Sequence, residues 1–328
     1  MTGVPDGEDP GAGDERHPAR SEFRESMHQA RIDLERQLET SRAQFDQAQE
    51  RINARTGRNL LLAIVIGVVF GGSLLLSLLV VKELFMVFAV VVAAFASSEL
   101  AAALRHGGYL VPRIPTVVAA VAAVPAAYYG GGAGQLVAVL GGMVLVVTWR
   151  LVEQAIPRIR AGSSMGLARD LGAGLFVQGY VTFLATFAVV LTAADGGQWW
   201  TLAFIITAVA TDTGAYAFGL AFGKHPMAPV ISPKKTWEGF GGAALASLVA
   251  GVILALFMLG QPWWFGLVFG AIILLTATLG DLAESLIKRD LGIKDMSSWL
   301  PGHGGFLDRL DSILPSAAVA YAAFRLFG

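Results

Sequence analysis

From residue 60 onward the chain strings together long apolar runs separated by short polar breaks, whereas its first 58 residues hold no apolar run at all. A bilayer core takes about 20 apolar residues per helix. Runs near that length fall at 60–80, 84–104, 114–129, 133–151, 171–192, 199–221, 239–259, 262–280 and 312–327. The pattern predicts an all-α, polytopic integral membrane protein with about nine transmembrane helices. The third and last runs are short, and Gly71-Gly72 in the first predicts a broken or tilted helix. Residues 59–192 form an N-terminal group of spans. Residues 193–328 form a C-terminal group that carries most of the polar motifs.

The N-terminal segment reads differently. Residues 1–20, rich in Gly, Pro, Asp and Glu, predict a disordered tail. Residues 21–58 predict a charged, amphipathic cytoplasmic helix. Leu38, Phe45 and Ile52 recur every seven residues, with Met27 and Leu34 on a neighbouring row. Arg24, Arg31 and Arg55 at seam positions favour a solvated or membrane-surface helix over a coiled coil. Gly57 is a plausible stop. With no apolar core, this segment is not read as a signal peptide.

Charge sets the orientation. Arg51, Arg55 and Arg58 precede the first span, which predicts a cytoplasmic N-terminus. Alternation then places 105–113, 150–169, 224–235 and 288–309 on the same side, and these connections hold most of the remaining basic residues. The opposite connections carry little beyond Lys82, and Trp199, Trp200, Trp263 and Trp264 flank them as interfacial anchors. Composition agrees: 55% of the 328 residues are hydrophobic, 15% are charged, and mean hydropathy is +0.60. A net charge of −1 argues against a nucleic-acid partner. The absence of Cys excludes disulfides, thiolate metal sites and Cys nucleophiles.

The candidate chemistry lies on the predicted cytoplasmic side. Asp281, Glu284, Ser285 and Lys288 are spaced to share one helix face, suited to a metal and a phosphate; a solvated helix end with a Glu–Lys pair is the plainer reading. Asp212, late in an apolar helix, marks a site by the cost of placing an ionisable group there, or else makes a structural hydrogen bond to a neighbouring helix. Asp308 and Asp311 open the last span, as candidate metal ligands or, for Asp311, as a helix cap. Ser232-Pro-Lys234-Lys235-Thr236 reads as a polar loop before a helix. Thr236 is its N-cap, two ammonium groups make an anion site, and Glu238 braces a lysine. Gly239, Gly241 and Gly242 suit close helix packing. Lys288, Arg289, Lys294 and Arg309 are partners for phosphates or anionic headgroups. His303, between Pro301-Gly302 and Gly304-Gly305, reads as a positioning or phosphate-binding group, or as plain loop.

Between Ser285 and Asp311 these residues follow a fixed order. Ser285, Lys288-Arg289, Lys294-Asp295, Pro301-x-His303-Gly304-Gly305 and Asp308-Arg309-x-Asp311 resemble the signature of the phosphatidate cytidylyltransferases, with no departure at a motif position. Asp212-Thr-Gly-Ala-Tyr216, Ser232–Gly239 and Gly280-Asp281-Leu-Ala-Glu284 resemble further motifs of that family, in its order. The resemblance covers roughly residues 60–328. It implies transfer of the cytidylyl group of CTP to phosphatidic acid in a bacterial inner membrane, with the active site on the cytoplasmic side. It also implies Mg²⁺, alone or with a second, monovalent cation, and a homodimer among membrane lipids. Asp281, Asp308, Lys288, Arg309 and His303 would then be catalytic. Asp281 would be a principal metal ligand and Asp308 a second, with Asp212, Glu284 and Asp311 as further candidates. Ser232, Lys234, Lys235, Thr236, Glu238, Ser285, Arg289, Lys294, Gly304 and Gly305 would bind substrate. A CTP-dependent polyprenol kinase is the nearer alternative. An ion-coupled transporter is the more distant one, weakened because no internal repeat is evident.

Overall fold

The structure, a computed structural model, describes residues 60–156, 166–297 and 305–328. The predicted tail and amphipathic helix of 1–58, together with His303 and Gly304, lie outside the described residues. The chain divides into Met1–Ala63 and Ile64–Gly328, and the architecture below is that of the second unit.

Helix follows helix: α1 Leu60–Leu79, α2 Lys82–His106, α3 Arg113–Ala155, α4 Leu167–Ala193, α5 Gly197–Phe222, α6 Trp237–Leu259, α7 Trp263–Asp290 and α8 Ile313–Phe327. Six of these, α2 to α7, are long and apolar enough to cross a bilayer, and α8 is a shorter apolar helix. The chain is an α-helical membrane protein. With little water to compete for backbone groups, the helix is the conformation that satisfies them internally. That explains why α1 runs unbroken through Gly71-Gly72, against the expected break.

Helix α3 joins the third and fourth apolar runs. At Gly131 the backbone turns through φ 55°, ψ −148°, a conformation open to glycine. A side chain on Gly134 would strike the carbonyl of Ala126, and one on Gly142 would stand 2.8 Å from the Ala119 methyl. These pairs step outward from residue 131, so 113–130 and 132–155 are antiparallel arms of a hairpin. Helix α4 carries a wide π turn at Gln178–Phe183, a geometry that disturbs the regular backbone ladder. Gln135 of α3 donates to the Phe183 carbonyl (3.2 Å) and to Thr186 Oγ1 (3.1 Å). Gln178 donates to the Thr116 carbonyl at 3.1 Å. Gln135→Leu removes both bonds, although Thr186 Oγ1 still donates to the Phe183 carbonyl at 2.9 Å. It is expected to cost about 1 kcal/mol, read as a lower melting temperature in detergent with the helical circular-dichroism spectrum retained.

Contacts between connections separate the two ends of the bundle. At one end Lys82 Nζ donates to Ala194 O, Gln261 Nε2 donates to Phe327 O, and Tyr129, Gly131, Ala194 and Arg325 border one cavity. At the other end Arg150 pairs with Asp170 at 2.7 Å, both buried, while Asp170 Oδ1 accepts the Leu110 N–H at 2.9 Å. That end also holds Lys224, Lys234, Lys235, Lys288, Arg289 and Arg309. Near the first of these ends, Trp200 meets Phe265, Phe269 and Phe324 edge-on in the aromatic core.

One element departs from an all-α plan. Strands β1, Pro226–Ala228, and β2, Ser232–Thr236, pair antiparallel, with Pro226 opposite Thr236 and Ala228 opposite Ser232. Ser232-Pro-Lys-Lys-Thr is therefore a strand, not the expected loop. Pro233 keeps it from helix and is tolerated in so small a sheet, where every strand is an edge. A partner of three residues is too short to show a period-two pattern.

Candidate active site

At the basic end, α5, α6, α7, the hairpin and the turn before α8 enclose a cavity of about 350 Å³. That is the size of a small-molecule pocket. Close backbone approach forms its walls. A side chain on Gly214 would meet the Gly242 carbonyl at 2.6 Å, and one on Gly239 the Ala215 carbonyl at 2.9 Å. A methyl on Gly280 would strike the Asp311 carbonyl, so this glycine lets the 311 turn lie against α7. Gly239 and Gly242 thus do the packing expected of them, whereas Gly241 faces open space.

Every wall except α6 delivers a charged group. Asp212 comes from α5 and Asp281 from α7; Asp308, Arg309 and Asp311 come from the turn, and Lys234 and Lys235 from β2. Lys235 Nζ lies 2.6 Å from Asp281 Oδ2 and ties the hairpin to α7. Ser312 Oγ donates to Asp212 Oδ2 at 3.1 Å. Thr236 Oγ1 accepts the Gly239 N–H at 3.1 Å, capping α6 as its sequence position suggests, and it also lines the cavity.

Asp308 is the most tightly held of these acids. Its Oδ1 accepts Lys288 Nζ at 2.9 Å, and its Oδ2 accepts the N–H groups of Gly305 (2.7 Å) and Met296 (3.2 Å). Burial works to raise its carboxyl pKa. Hydrogen bonds with Glu284, the Gly305 N–H and Lys288 outweigh burial and hold it below the ordinary carboxylate value. Asp311 shifts the other way. Burial raises it, and the nearby Asp281 and Asp212 charges raise it further. Its Oδ1 accepts the adjacent Ser312 N–H at 2.7 Å rather than an amide further into α8.

Several candidates stand behind the cavity instead of on it. Helix α7 continues to Asp290, past the end of the apolar run, and carries the predicted face. On it Glu284, 1% exposed, pairs with Lys288 at 2.8 Å, and Ser285 Oγ donates to Asp281 Oδ1 at 3.4 Å. Arg289 Nε donates to the Ile231 carbonyl at 3.3 Å and steadies the hairpin. Lys294 is exposed away from the cavity, and Ser232 begins β2 without bordering it. Glu238 does not brace a lysine side chain. It accepts the backbone N–H groups of Lys224 (3.1 Å) and His225 (3.2 Å) and bonds His225 Nδ1 at 2.5 Å. A side chain on Gly305 would stand 2.7 Å from the Glu99 carboxylate, so close packing against α2 accounts for this glycine.

Sequence reasoning passed over Ser312, the partner of Asp212, because a Ser before a helix reads first as a helix start. It also passed over Glu99, 2% exposed, which bonds to both sides of the signature loop. An acid inside the apolar run 84–104 was the available signal, by the same argument that singled out Asp212.

Comparison with known proteins reaches the same region of the chain. Residues 61–327 match the model of the cytidylyltransferase family. The chain belongs to that family. It is 41% identical over 278 residues to a protein of Mycobacterium bovis named phosphatidate cytidylyltransferase, covering 83% of this chain and 90% of the relative. A protein of the same name in Mycobacterium tuberculosis H37Rv is also 41% identical, over 83% of this chain and 84% of its own length. A namesake in Mycobacterium leprae is 37% identical over 279 residues, 83% of this chain and 89% of its own. In this cytidylyltransferase the cavity combines acids that suit a metal-bound phosphate chain with bases that suit its free oxygens. Among the described residues no three carboxylates or imidazoles converge on one point. Mg²⁺ does not require such a cage, because it is usually held by one or two carboxylates with waters and substrate phosphates. The donor set therefore fits it.

Proposed function

We infer that this chain transfers the cytidylyl group of CTP to phosphatidic acid, giving CDP-diacylglycerol and pyrophosphate. The observation that carries the reading is the convergence of Asp212, Asp281, Asp308, Arg309, Lys234 and Lys235 on one cavity at the end of a membrane bundle. It occurs in a chain 41% identical to phosphatidate cytidylyltransferases.

A phosphate oxygen of the lipid attacks the α-phosphorus of CTP. A new P–O bond forms, the α–β bridging P–O bond breaks, and its electron pair leaves with pyrophosphate. A phosphate monoester has its second pKa near 6, so the attacking oxygen is already deprotonated at neutral pH and no general base is needed. Catalysis is then positioning and charge stabilisation. Lys234 and Lys235, on the hairpin, hold the triphosphate, and Arg309 takes a phosphate with its planar fork. Asp281 and Asp212 would hold Mg²⁺, which would offset the charge gathering on the phosphate oxygens; Asp308, whose oxygens are taken by Lys288 and two backbone amides, stands beside them. Lys288, paired with Glu284 and Asp308, fixes Asp308 in place. Asp311 lies deeper and supports the wall.

The same reading extends to topology. Nine crossings, counting the two arms of α3 separately and including α1 and α8, leave the N-terminus and the cavity in the cytoplasm of a bacterial cell, where CTP is available. The basic residues gathered at the cavity end support this orientation. A homodimer in the inner membrane completes the proposal.

The test uses purified protein in micelles with phosphatidic acid, Mg²⁺ and CTP labelled at either the α or the γ position. Label from the α position entering lipid, with pyrophosphate released, is the expected result. Label from the γ position entering lipid would mean kinase chemistry. Transfer of neither label would sink the assignment.

A further inference from the structure

Two carboxylates divide between them the amides around the last turn of the signature. Asp308 takes the N–H groups of Met296 and Gly305. Glu99, on α2, takes the next two: the Phe306 N–H at 3.0 Å on Oε1 and the Leu307 N–H at 2.9 Å on Oε2. Glu99 Oε1 also accepts Ser297 Oγ at 2.5 Å, next to Met296. Each carboxylate bonds both sides of the loop, Asp308 at 296 and 305 and Glu99 at 297 and 306–307, so the two interlock. One lies in the bundle and the other on the cavity wall.

The packing around Glu99 matches this arrangement. Phe95, one helical turn earlier on the same face of α2, stacks on the Phe306 ring with centroids 4.6 Å apart and planes 9° from parallel. Phe70 of α1 meets that ring edge-on at 6.0 Å. Gly305 has no side chain where a methyl would press on the Glu99 carboxylate. A buried carboxylate is costly unless its oxygens are satisfied. Here three donors from residues about 200 positions away in sequence satisfy them. The turn that receives this hold, Leu307–Arg309, carries two of the charged groups facing the cavity.

We propose that Glu99 is a positioning residue for cytidylyl transfer: it sets the Leu307–Arg309 turn so that Asp308 and Arg309 face the substrate. This rests on the reaction proposed above. Glu99 borders no substrate cavity itself and acts through the turn. A displacement of reacting groups by about 1 Å can cost on the order of a hundredfold in rate.

The test compares the parent protein with Glu99→Gln, Gly305→Ala and the double variant in two readouts. One is turnover of CTP per folded molecule. The other is amide hydrogen exchange of the peptide spanning 305–311. Gln keeps the shape but turns an N–H₂ toward an N–H or O–H donor. Glu99→Gln should lower kcat roughly ten- to a hundredfold, with KM for CTP within about threefold and exchange at Phe306 and Leu307 about tenfold faster. Gly305→Ala should reproduce both changes, and the double variant should be no worse than the weaker single variant within about threefold, as coupled sites require. Parent-like exchange, parent-like kcat, or losses that multiply in the double variant would each overturn the proposal. If Glu99→Gln yields no folded protein, Gly305→Ala decides by the same readouts. An inactive parent would instead sink the cytidylyl reading, while exchange would still decide whether Glu99 holds the turn.

Discussion

Replacing Asp281 with Asn is expected to lower cytidylyl transfer at least about a thousandfold while the protein stays folded. A thousandfold is about 4 kcal/mol of transition-state stabilisation. The contact visible at Asp281 does not account for so much. Its pair with Lys235 is partly open to water, with side-chain exposures of 23% and 31%. Such pairs contribute about 1 kcal/mol or less, which is under tenfold. A larger loss must come from what the carboxylate does with substrate bound, where charge on a metal and a phosphate chain is stabilised in a site that excludes water. Asn keeps the size of the side chain, and among the described residues no backbone N–H bonds to Asp281, so the melting temperature should stay within a few degrees of the parent. The measurement is α-label transfer at saturating CTP and lipid, with the Mg²⁺ concentration varied. A variant retaining more than a tenth of parental turnover would remove Asp281 from the chemistry and leave it a tie between α7 and the hairpin.

The sequence revealed most where chemistry and membrane physics both act on single residues. Each apolar run is helical because a chain in hydrocarbon has few other ways to satisfy its backbone. The line of acids and bases that converge on the cavity was readable because such residues are conspicuous in an apolar chain. Three things besides Ser312 escaped. The β1–β2 hairpin depends on pairing between segments too short to carry a pattern. The division between groups on the cavity and groups behind it depends on which side chains of other elements stand in between. Asp281 and Lys288 both lie on the expected face of α7, yet Asp281 meets the cavity and Lys288 is screened from it by Asp308. Glu99 stood out only as an acid in an apolar run; what it holds was hidden, because its partners lie about 200 residues away and no local motif marks a contact of that range.

Asp308→Asn should differ from Asp281→Asn in kind: both turnover and stability should fall. The Asp308 side chain is 8% exposed and accepts from donors on both oxygens, Lys288 on one and the amides of Met296 and Gly305 on the other. Its carboxyl is held below the ordinary range, so it remains ionised at neutral pH. Asn has one carbonyl oxygen and one N–H₂. In one orientation the N–H₂ faces the Lys288 ammonium; in the other it faces two backbone N–H groups. Either way at least one donor loses its acceptor. Breaking a buried charged pair on one side costs about 3–5 kcal/mol. Glu284 still pairs with Lys288 at 2.8 Å, which places the expected loss at the lower end, about 3 kcal/mol. That appears as a melting temperature lower by several degrees in detergent. Turnover per folded molecule should fall about a hundredfold or more, because Arg309 shares the loosened turn. Asp308→Glu should not restore it, since the longer side chain cannot accept from the Gly305 amide three residues earlier without displacing Lys288. A parental melting temperature together with parental turnover in Asp308→Asn would show that the turn is held without this carboxylate. A parental melting temperature with lost turnover would give Asp308 the same purely chemical role as Asp281.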